Sequence, residues 1–454
     1  MHLSSINRIY FLGIGGIGMS AIARFFHANG ISVYGYDRTE TKLTRQLQKE
    51  GIHIHYNEDH NVTNYNPDLV VYSPAIPKTN IEFVNFQKST VPMYKRSEVL
   101  GILCKNYKTI AVAGTHGKTT VSSMIAHLLY NSNQKVTAFI GGIMANYSTN
   151  YISVPESEYV VVEADEFDRS FLTLFPDISV VTSTDADHLD IYGSKAHLLE
   201  SFNTFIRQTS ADGVIFFNDS VQLENTKTKT FSYGFSNSKD ARVISNLRVE
   251  TGKMIFDFTS GDIQINDLFV GMSGKHNVEN ACAAISVCLE LGISEEQIRQ
   301  GLASFRGVKR RFEKIYESDD ISYIDDYAHH PEELKAAINS ARLLYPRRNL
   351  VGVFQPHLFS RTKDFYLEFA SSLSLLDQLY ILDIYPAREL PIEGVSSRMI
   401  AREIKNIPVN LISKEDVVSE IILTKRDVIM TLGAGDIDQI ISPLKKRLSE
   451  YKFV

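Results

Sequence analysis

The sequence predicts an α/β protein of three domains, each built on a mostly parallel sheet. Two observations carry this. Short apolar runs alternate with helical stretches along the whole chain. Two glycine-rich turns each follow such a run and open a helix. The 454 residues agree, since domains run to roughly 100–200 residues.

The first domain is expected over residues 1–107. Arg8–Leu12 reads as a strand, followed by a glycine turn and an apolar helix to Asn29. Ile31–Tyr36 reads as the next strand and ends at Asp37, and Asp68–Tyr72 reads as another, followed by Pro74 and Pro77. Such alternation favours a parallel sheet with helices on both faces. Ile9–Phe26 is apolar enough to imitate a membrane or signal segment. Its four glycines and Arg24, with no basic start and no small-residue cleavage site, fit strand, turn and helix better.

The central domain is expected over 108–305. It opens with the buried strand Thr109–Ala113 and a second glycine loop, and continues with strands Tyr159–Val162 and Ile178–Thr182. Lys229–Asp267, with alternating runs such as Met254–Phe258, is expected to be antiparallel. A helix from Val278 to Leu291 places Ala281, Ala284, Ile285, Cys288 and Leu289 on one face, and Gly292 stops it. The third domain, 306–454, has strands expected at Ser322–Asp325, Leu350–Phe354, Leu379–Asp383 and Val428–Leu432. Ligands gather at the carboxyl ends of open parallel sheets. Those ends carry Asp326, His329, His357, Arg361 and Gly433–Asp436.

A net charge of −6 with interspersed charges gives no footprint for nucleic acid. Cys104, Cys282 and Cys288 form no C-x-x-C pair, which suits packed thiols in a reducing compartment. A cytoplasmic protein without a membrane segment is expected.

Gly13-Ile14-Gly15-Gly16-Ile17-Gly18 fits G-x-G-x-x-G between strand and helix, and Asp37 follows 19 residues after Gly18. The glycines let a pyrophosphate approach the helix N-terminus, and the acid reaches a ribose hydroxyl. A tight turn with no ligand is the plain alternative. The pattern does not choose between NAD and another nucleotide.

Gly114-Thr115-His116-Gly117-Lys118-Thr119-Thr120 is the stronger signal, because Gly-Lys-Thr stands at a strand–helix junction. Backbone N–H groups cradle phosphates, Lys118 neutralises them, and the Thr119 hydroxyl ligates Mg²⁺. The usual spacing would need glycine at Val112. Glu163, just past a strand, stands where a second Mg²⁺ ligand belongs, and Asp185–Asp190 follows the next strand. Two nucleotide-type loops and a third domain bearing His, Arg and Asp suit an ATP-driven joining of two substrates. A carboxylate condenses with an amine once phosphorylated, given charge around the γ-phosphoryl group and a positioned amine.

These residues resemble the Mur ligases, from Arg8 to Asp436. The segments that carry the resemblance are Gly13–Ser20, Gly114–Thr120, Glu163–Glu166, Asp185–Asp190 and His276–Asn280. Further on they are Gly307–Glu313, Asp325–Pro331, Phe354–His357 with Arg361-Thr362, and Thr431–Asp436. The resemblance implies a Rossmann-like N-terminal domain, a P-loop central ATPase domain and a Rossmann-like C-terminal domain. It implies that L-alanine is joined to the lactyl carboxylate of UDP-N-acetylmuramate through an acyl phosphate, in peptidoglycan synthesis, with ATP and Mg²⁺.

By the same resemblance, Gly13, Gly15, Gly16, Ile17, Gly18, Met19, Ser20, Asp37 and Ser73 hold the UDP-sugar. Gly114 to Thr120 hold ATP, with His276, Asn277 and Asn280 near adenine and Arg311 and Asp326 near the γ-phosphate or ribose. Thr119, Glu163 and His188 bind two Mg²⁺, and His329, His357 and Arg361 hold alanine and the reacting carboxylate. Lys118, His188, Asp326, His329 and Arg361 form the implied catalytic set. An N-cap is the plain alternative for Asn277. Two departures stand out: Leu358 where relatives often have arginine, and Pro74 where a serine is common.

Four alternatives are weighed. Ligases that add later residues, or glutamates to folate, lack this first glycine loop with Asp37. A recycling ligase would attach a tripeptide to the same sugar nucleotide, and its first glycine loop differs. An NAD-dependent oxidoreductase leaves Gly114–Thr120 idle, and a nucleotide-regulated binding module does not need the third-domain His, Arg and Asp.

Overall fold

Three sheets follow one another along the chain. The computed structural model describes residues 6–185, 192–224, 226–236, 241–250, 253–272, 274–387 and 389–450. The first sheet contains β1 (Arg8–Leu12), β2 (Ser32–Tyr36), β3 (His53–His55), β4 (Leu69–Tyr72) and β5 (Met93–Lys95). Its order is β3-β2-β1-β4-β5, parallel throughout. β1 is apolar on both faces because both are covered. Ile9 and Phe11 pack with Ile22 and Phe26 of the helix Ile17–Ala28, while Tyr10 and Leu12 pack with Val70 and Phe86. The strand order reverses at β1, so its glycine turn lies at the switch point where such sheets take ligands.

The second sheet contains β6 (Lys108–Ala113), β7 (Val136–Met144), β8 (Thr149–Ser153), β9 (Tyr159–Glu163), β10 (Ile178–Val181) and β11 (Val214–Asn218). It continues with β12 (Lys229–Gly234), β13 (Arg242–Glu250), β14 (Lys253–Ser260) and β15 (Ile263–Phe269). The order is β15-β14-β13-β12-β11-β10-β6-β9-β7-β8. The expectation of antiparallel pairing over Lys229–Asp267 holds for the neighbours β13, β14 and β15, which two-residue connections join, and is corrected only at its start. β12 lies parallel to β11, and β13 begins parallel to β12. Alternating polarity reports burial on one face and says nothing of strand direction.

The third sheet contains β16 (Glu313–Glu317), β17 (Ser322–Asp326), β18 (Asn349–Phe354), β19 (Gln378–Ile381), β20 (Val409–Leu411) and β21 (Asp427–Leu432). Its order is β16-β17-β21-β18-β19-β20, parallel except for the β16–β17 hairpin. Packing divides the chain into two compact units. One comprises Met1–Asn246, Phe256–Leu268 and Glu279–Arg306; the other comprises Leu247–Ile255, Phe269–Val278 and Gly307–Val454.

Within the first unit, a buried polar cluster ties the first sheet's helix to β8. Arg24 forms a fork on Glu50 at 2.7 and 2.8 Å and donates to Asn150. The Asn150 amide donates in turn to Ile17 C=O at 2.6 Å and Ser20 Oγ at 2.9 Å. The three cysteines are buried and free, and burial pushes the Cys104 thiol up to about 12. Among the described residues no helix is long and apolar enough to cross a membrane.

Candidate active site

The glycine turn after β1 is closed by Asp37. Its Oδ2 accepts the Gly15 N–H at 2.8 Å and its Oδ1 accepts the Thr39 N–H at 3.2 Å. A Cβ on Gly15 would stand 2.7 Å from that carboxylate, so the position requires glycine. Ser73 lies beside Gly13, and its hydroxyl accepts the Ala75 N–H at 3.2 Å. The first intrahelical bond runs from Ser20 N–H to Gly16 C=O, leaving the N–H groups of Ile17, Gly18 and Met19 ahead of it. Two expectations change as a result. Met19 can offer a ligand only its backbone N–H, because its side chain is core. Ser20 does not face the turn: it is fully buried, its N–H is spent, and its hydroxyl bonds Ile17 C=O and takes the Asn150 amide.

The second loop is braced from the end of β10. Thr182 Oγ1 donates to Ala113 C=O at 3.1 Å and to His116 C=O. Ser183 accepts the Thr115 N–H on its carbonyl at 3.1 Å and the His116 N–H on its hydroxyl at 2.8 Å. These two amides are therefore spent, and the amides from Gly117 into the helix Lys118–Asn131 are left to cradle phosphates. Gly114 has φ +136, and a Cβ there would stand 2.0 Å from Thr182 Oγ1. The loop is short because Val112 belongs to β6, fully buried and paired with Glu163 and Val180 of the neighbouring strands.

Lys118 Nζ donates to Gly114 C=O at 2.6 Å and pairs with Glu166 at 2.7 Å. Burial alone would lower its pKa, but Glu166, Asp165 and Glu163 more than offset that and raise it. Glu163 ends β9 and accepts the Gly141 N–H at 3.0 Å. Asn280 Oδ1 lies close over Gly117, where a Cβ would approach to 2.9 Å. His188 lies outside the described residues. Among the described residues no group of three His, Cys, Asp or Glu could hold a metal alone. The oxygen donors of Thr119 and Glu163 fit a hard Mg²⁺ that takes its other ligands from phosphate and water.

The second unit gathers the remaining residues. The helix Lys275–Glu290 begins three residues before the expected Val278, so His276 and Asn277 lie in its first turn. The N-cap alternative for Asn277 therefore falls. His276 Nδ1 stands 3.3 Å from Ser340 Oγ, and burial with the nearby Arg311 charge lowers its pKa to about 4. Asp326 ends β17 and accepts N–H groups from Phe312 and Ala328, both at 2.7 Å. Burial pushes its carboxyl up to about 7, against the pull of Arg311.

Arg311 stacks on Tyr327 at 5.2 Å and stands 3.9 Å from Glu333. His329 Nδ1 lies 2.9 Å from Tyr327 C=O and 3.5 Å from Glu333. Burial and the charges of Arg361 and Arg311 hold its pKa down, although Glu333 opposes them. Its ring meets His357 at 5.8 Å, and His357 stacks on Tyr385 at 5.7 Å. Arg361 lies in the first turn of the helix Phe359–Leu373. Leu358 caps that helix with φ +73.

Several residues went unread in the sequence. Thr182 and Ser183 left one signal, a polar pair directly after an apolar strand. Glu166 and Arg310 were read only as members of the Glu163–Glu166 and Gly307–Glu313 segments, without a role, since their partners are distant in sequence. Arg310 holds Asp325 at 3.2 Å and Gly433 C=O at 2.5 Å, fixing the strand ends beneath Asp326.

Two glycine-rich turns on successive parallel sheets, followed by a third sheet with His, Arg and Asp at its carboxyl ends, define the three-domain architecture of the Mur ligases, and the chain belongs to this family. Residues 8–108 match the Mur ligase family catalytic domain, 112–288 the Mur ligase middle domain, and 310–435 the Mur ligase glutamate ligase domain. The chain is 44% identical to the UDP-N-acetylmuramate–L-alanine ligase of Cytophaga hutchinsonii, over 98% of this chain and 97% of that one. It is 46% identical to the ligase of the same name from Flavobacterium psychrophilum, over 99% and 100%. The solved UDP-N-acetylmuramate-alanine ligase of Thermotoga maritima has TM-score 0.83 and 29% identity, covering 98% and 100%. A murein peptide ligase from Psychrobacter arcticus, at 21% identity and TM-score 0.70 over 98% and 100%, shares the fold.

Proposed function

We propose that this chain is an ATP-dependent ligase that joins L-alanine to UDP-N-acetylmuramate. The observation that supports this most is end-to-end similarity to ligases of that name, with both phosphate-binding turns intact. The lactyl carboxylate attacks the γ-phosphorus of ATP, and the bond to the β-bridging oxygen breaks to release ADP. The alanine amine then attacks the acyl phosphate. It expels phosphate, loses a proton and leaves an amide.

Lys118 and the amides from Gly117 onward carry the charge of the β and γ phosphates. Mg²⁺, held by Thr119 and Glu163 with His188, supplies further positive charge there when bound. We assign His276, Asn277, Asn280, Arg311 and Asp326 to ATP, and Gly13 to Met19, Asp37 and Ser73 to the UDP-sugar. His329, His357 and Arg361 are assigned to alanine. His329 is kept neutral by burial, as a group that takes the amine's proton must be. The domain assignment follows: 1–107 for the UDP-sugar, 108–305 for ATP and 306–454 for the amino acid. An enzyme with these substrates works in the cytoplasm.

The test is phosphate release with ATP, Mg²⁺, UDP-N-acetylmuramate and single amino acids. Release that depends on L-alanine is expected. Release that needs a tripeptide, or none with alanine, overturns the proposal. Lys118→Ala should abolish turnover while UDP-sugar binding persists.

A further inference from the structure

Arg96 opens the helix Arg96–Cys104 at the carboxyl end of β5, and its position is electrostatically odd. Its guanidinium lies against Gly18 in the first turn of the helix Ile17–Ala28. A Cβ on Gly18 would stand 2.8 Å from Nη1 and 3.3 Å from Cζ. A helix N-terminus carries partial positive charge. A cation held against it is unfavourable unless an anion sits between them.

One carboxylate offsets this from the side. Arg96 Nη2 donates to Asp165 Oδ2 at 3.3 Å. The remaining guanidinium donors have no partner among the described residues. Asp165 is 36% exposed, and a long, partly exposed pair of this kind is worth little. It yields easily to a stronger anion. A diphosphate is one, because its oxygens accept from guanidinium and helix amides together.

We propose that Arg96 binds the diphosphate of the nucleotide sugar, exchanging Asp165 for it. This rests on the reading of Gly13–Gly18 as a nucleotide diphosphate site. It adds a residue that the glycine pattern does not reveal, since Arg96 lies 78 residues beyond Gly18. It also links the sugar-nucleotide site to the acidic segment beside Lys118. When the diphosphate takes Arg96, Asp165 loses its cation two residues from Glu163.

The test is calorimetric binding of uridine, UMP and UDP to the full chain and to Arg96→Ala, Arg96→Lys and Asp165→Asn. Losing a charged hydrogen bond should weaken UDP about 10- to 100-fold in Arg96→Ala while uridine changes about twofold or less. Arg96→Lys keeps the charge but not the fork and should fall between wild type and Arg96→Ala. Asp165→Asn removes the competing carboxylate and should tighten UDP about two- to fivefold. ATP binding reports that Arg96→Ala is folded. If that variant does not fold, Asp165→Asn decides the matter, and unchanged or weaker UDP binding overturns the proposal. Equal losses of UDP and uridine in Arg96→Ala, or no loss, also overturn it. If the wild type itself does not bind UDP, the reading of the glycine turn has failed.

Discussion

Lys118 and Glu166 form a buried ion pair at 2.7 Å beneath the Gly114–Thr120 loop, with the carboxylate only 1% exposed. In the proposed function the phosphates of ATP take the same ammonium, so Glu166 would compete with them for it. Glu166→Gln keeps the shape and removes the charge. Lys118 would still be held by Gly114 C=O. The variant should bind ATP about three- to tenfold more tightly and lose about 1–3 kcal/mol of stability. Calorimetry and urea unfolding measure both, and weaker ATP binding would refute the competition.

Ser183 holds the loop open by spending the amides of Thr115 and His116. In Ser183→Ala the His116 N–H loses its partner and the loop can relax. Such a bond is worth about 0.5–1.5 kcal/mol, so ATP should bind about two- to tenfold more weakly. UDP binding should not move, because the first glycine turn makes no use of Ser183. Equal weakening of the two nucleotides would show that the serine acts on the whole unit.

The Asn150 cluster predicts a stability effect without a binding effect. Asn150→Ala strands the Arg24 Nη1 donor in a buried place and removes the amide that donates to Ser20 Oγ and Ile17 C=O. The cost should be about 1–3 kcal/mol. Ser20→Ala should behave likewise, only more mildly, with UDP affinity within about twofold of wild type. A Ser20→Ala variant with normal melting and lost UDP binding would return Ser20 to the ligand.

Legibility followed sequence distance. Arg8–Leu12 and its glycine turn were readable because an apolar run buried on both faces and a φ-permissive turn are local properties. The carboxyl-end residues Asp326, His329 and His357 were readable for the same reason. The burial of Ser20 was not legible because its partner, Asn150, is 130 residues away. The direction of β12 was misread because alternation encodes one-sided burial. The pairing of Glu166 and the place of Arg96 stayed hidden because what marks them is a neighbour across the fold, Lys118 in one case and Gly18 in the other.

Asp326 should make stability depend on pH in a direction opposite to most carboxylates. Its folded pKa of about 7 exceeds the ordinary 3.8. Between these values the folded chain holds a proton that the unfolded chain has lost, so raising pH lowers stability. His276 and His329, both shifted down, act the other way as pH falls below 6.5. Both remain in Asp326→Asn, so the difference between wild type and variant isolates the aspartate. Urea unfolding at about pH 5 and about pH 8 should show the wild type losing ground to Asp326→Asn at the higher pH. A difference that does not change with pH would mean that Asp326 is ionised throughout.

Arg361 should carry the alanine carboxylate. The resemblance leads us to expect an arginine at 358, but Leu358 sits at the helix start with φ +73, and its N–H donates to Tyr385 C=O at 3.0 Å. Arg361, in the first turn of the same helix, is a cation whose charge, like that of Arg311, is felt at His329. If it anchors the carboxylate, Arg361→Ala should raise the alanine KM about 10- to 100-fold, the range for a charged hydrogen bond. ATP and UDP-sugar affinities should stay within about twofold. Removing a nearby cation should also raise the His329 pKa, shifting the acid limb of kcat/KM to higher pH. An unchanged alanine KM together with an unshifted acid limb would place the carboxylate elsewhere. Leu358→Arg then distinguishes a site that lacks its arginine from one that never used it. If Arg361 already does the work, the added arginine should lower the alanine KM by less than about threefold.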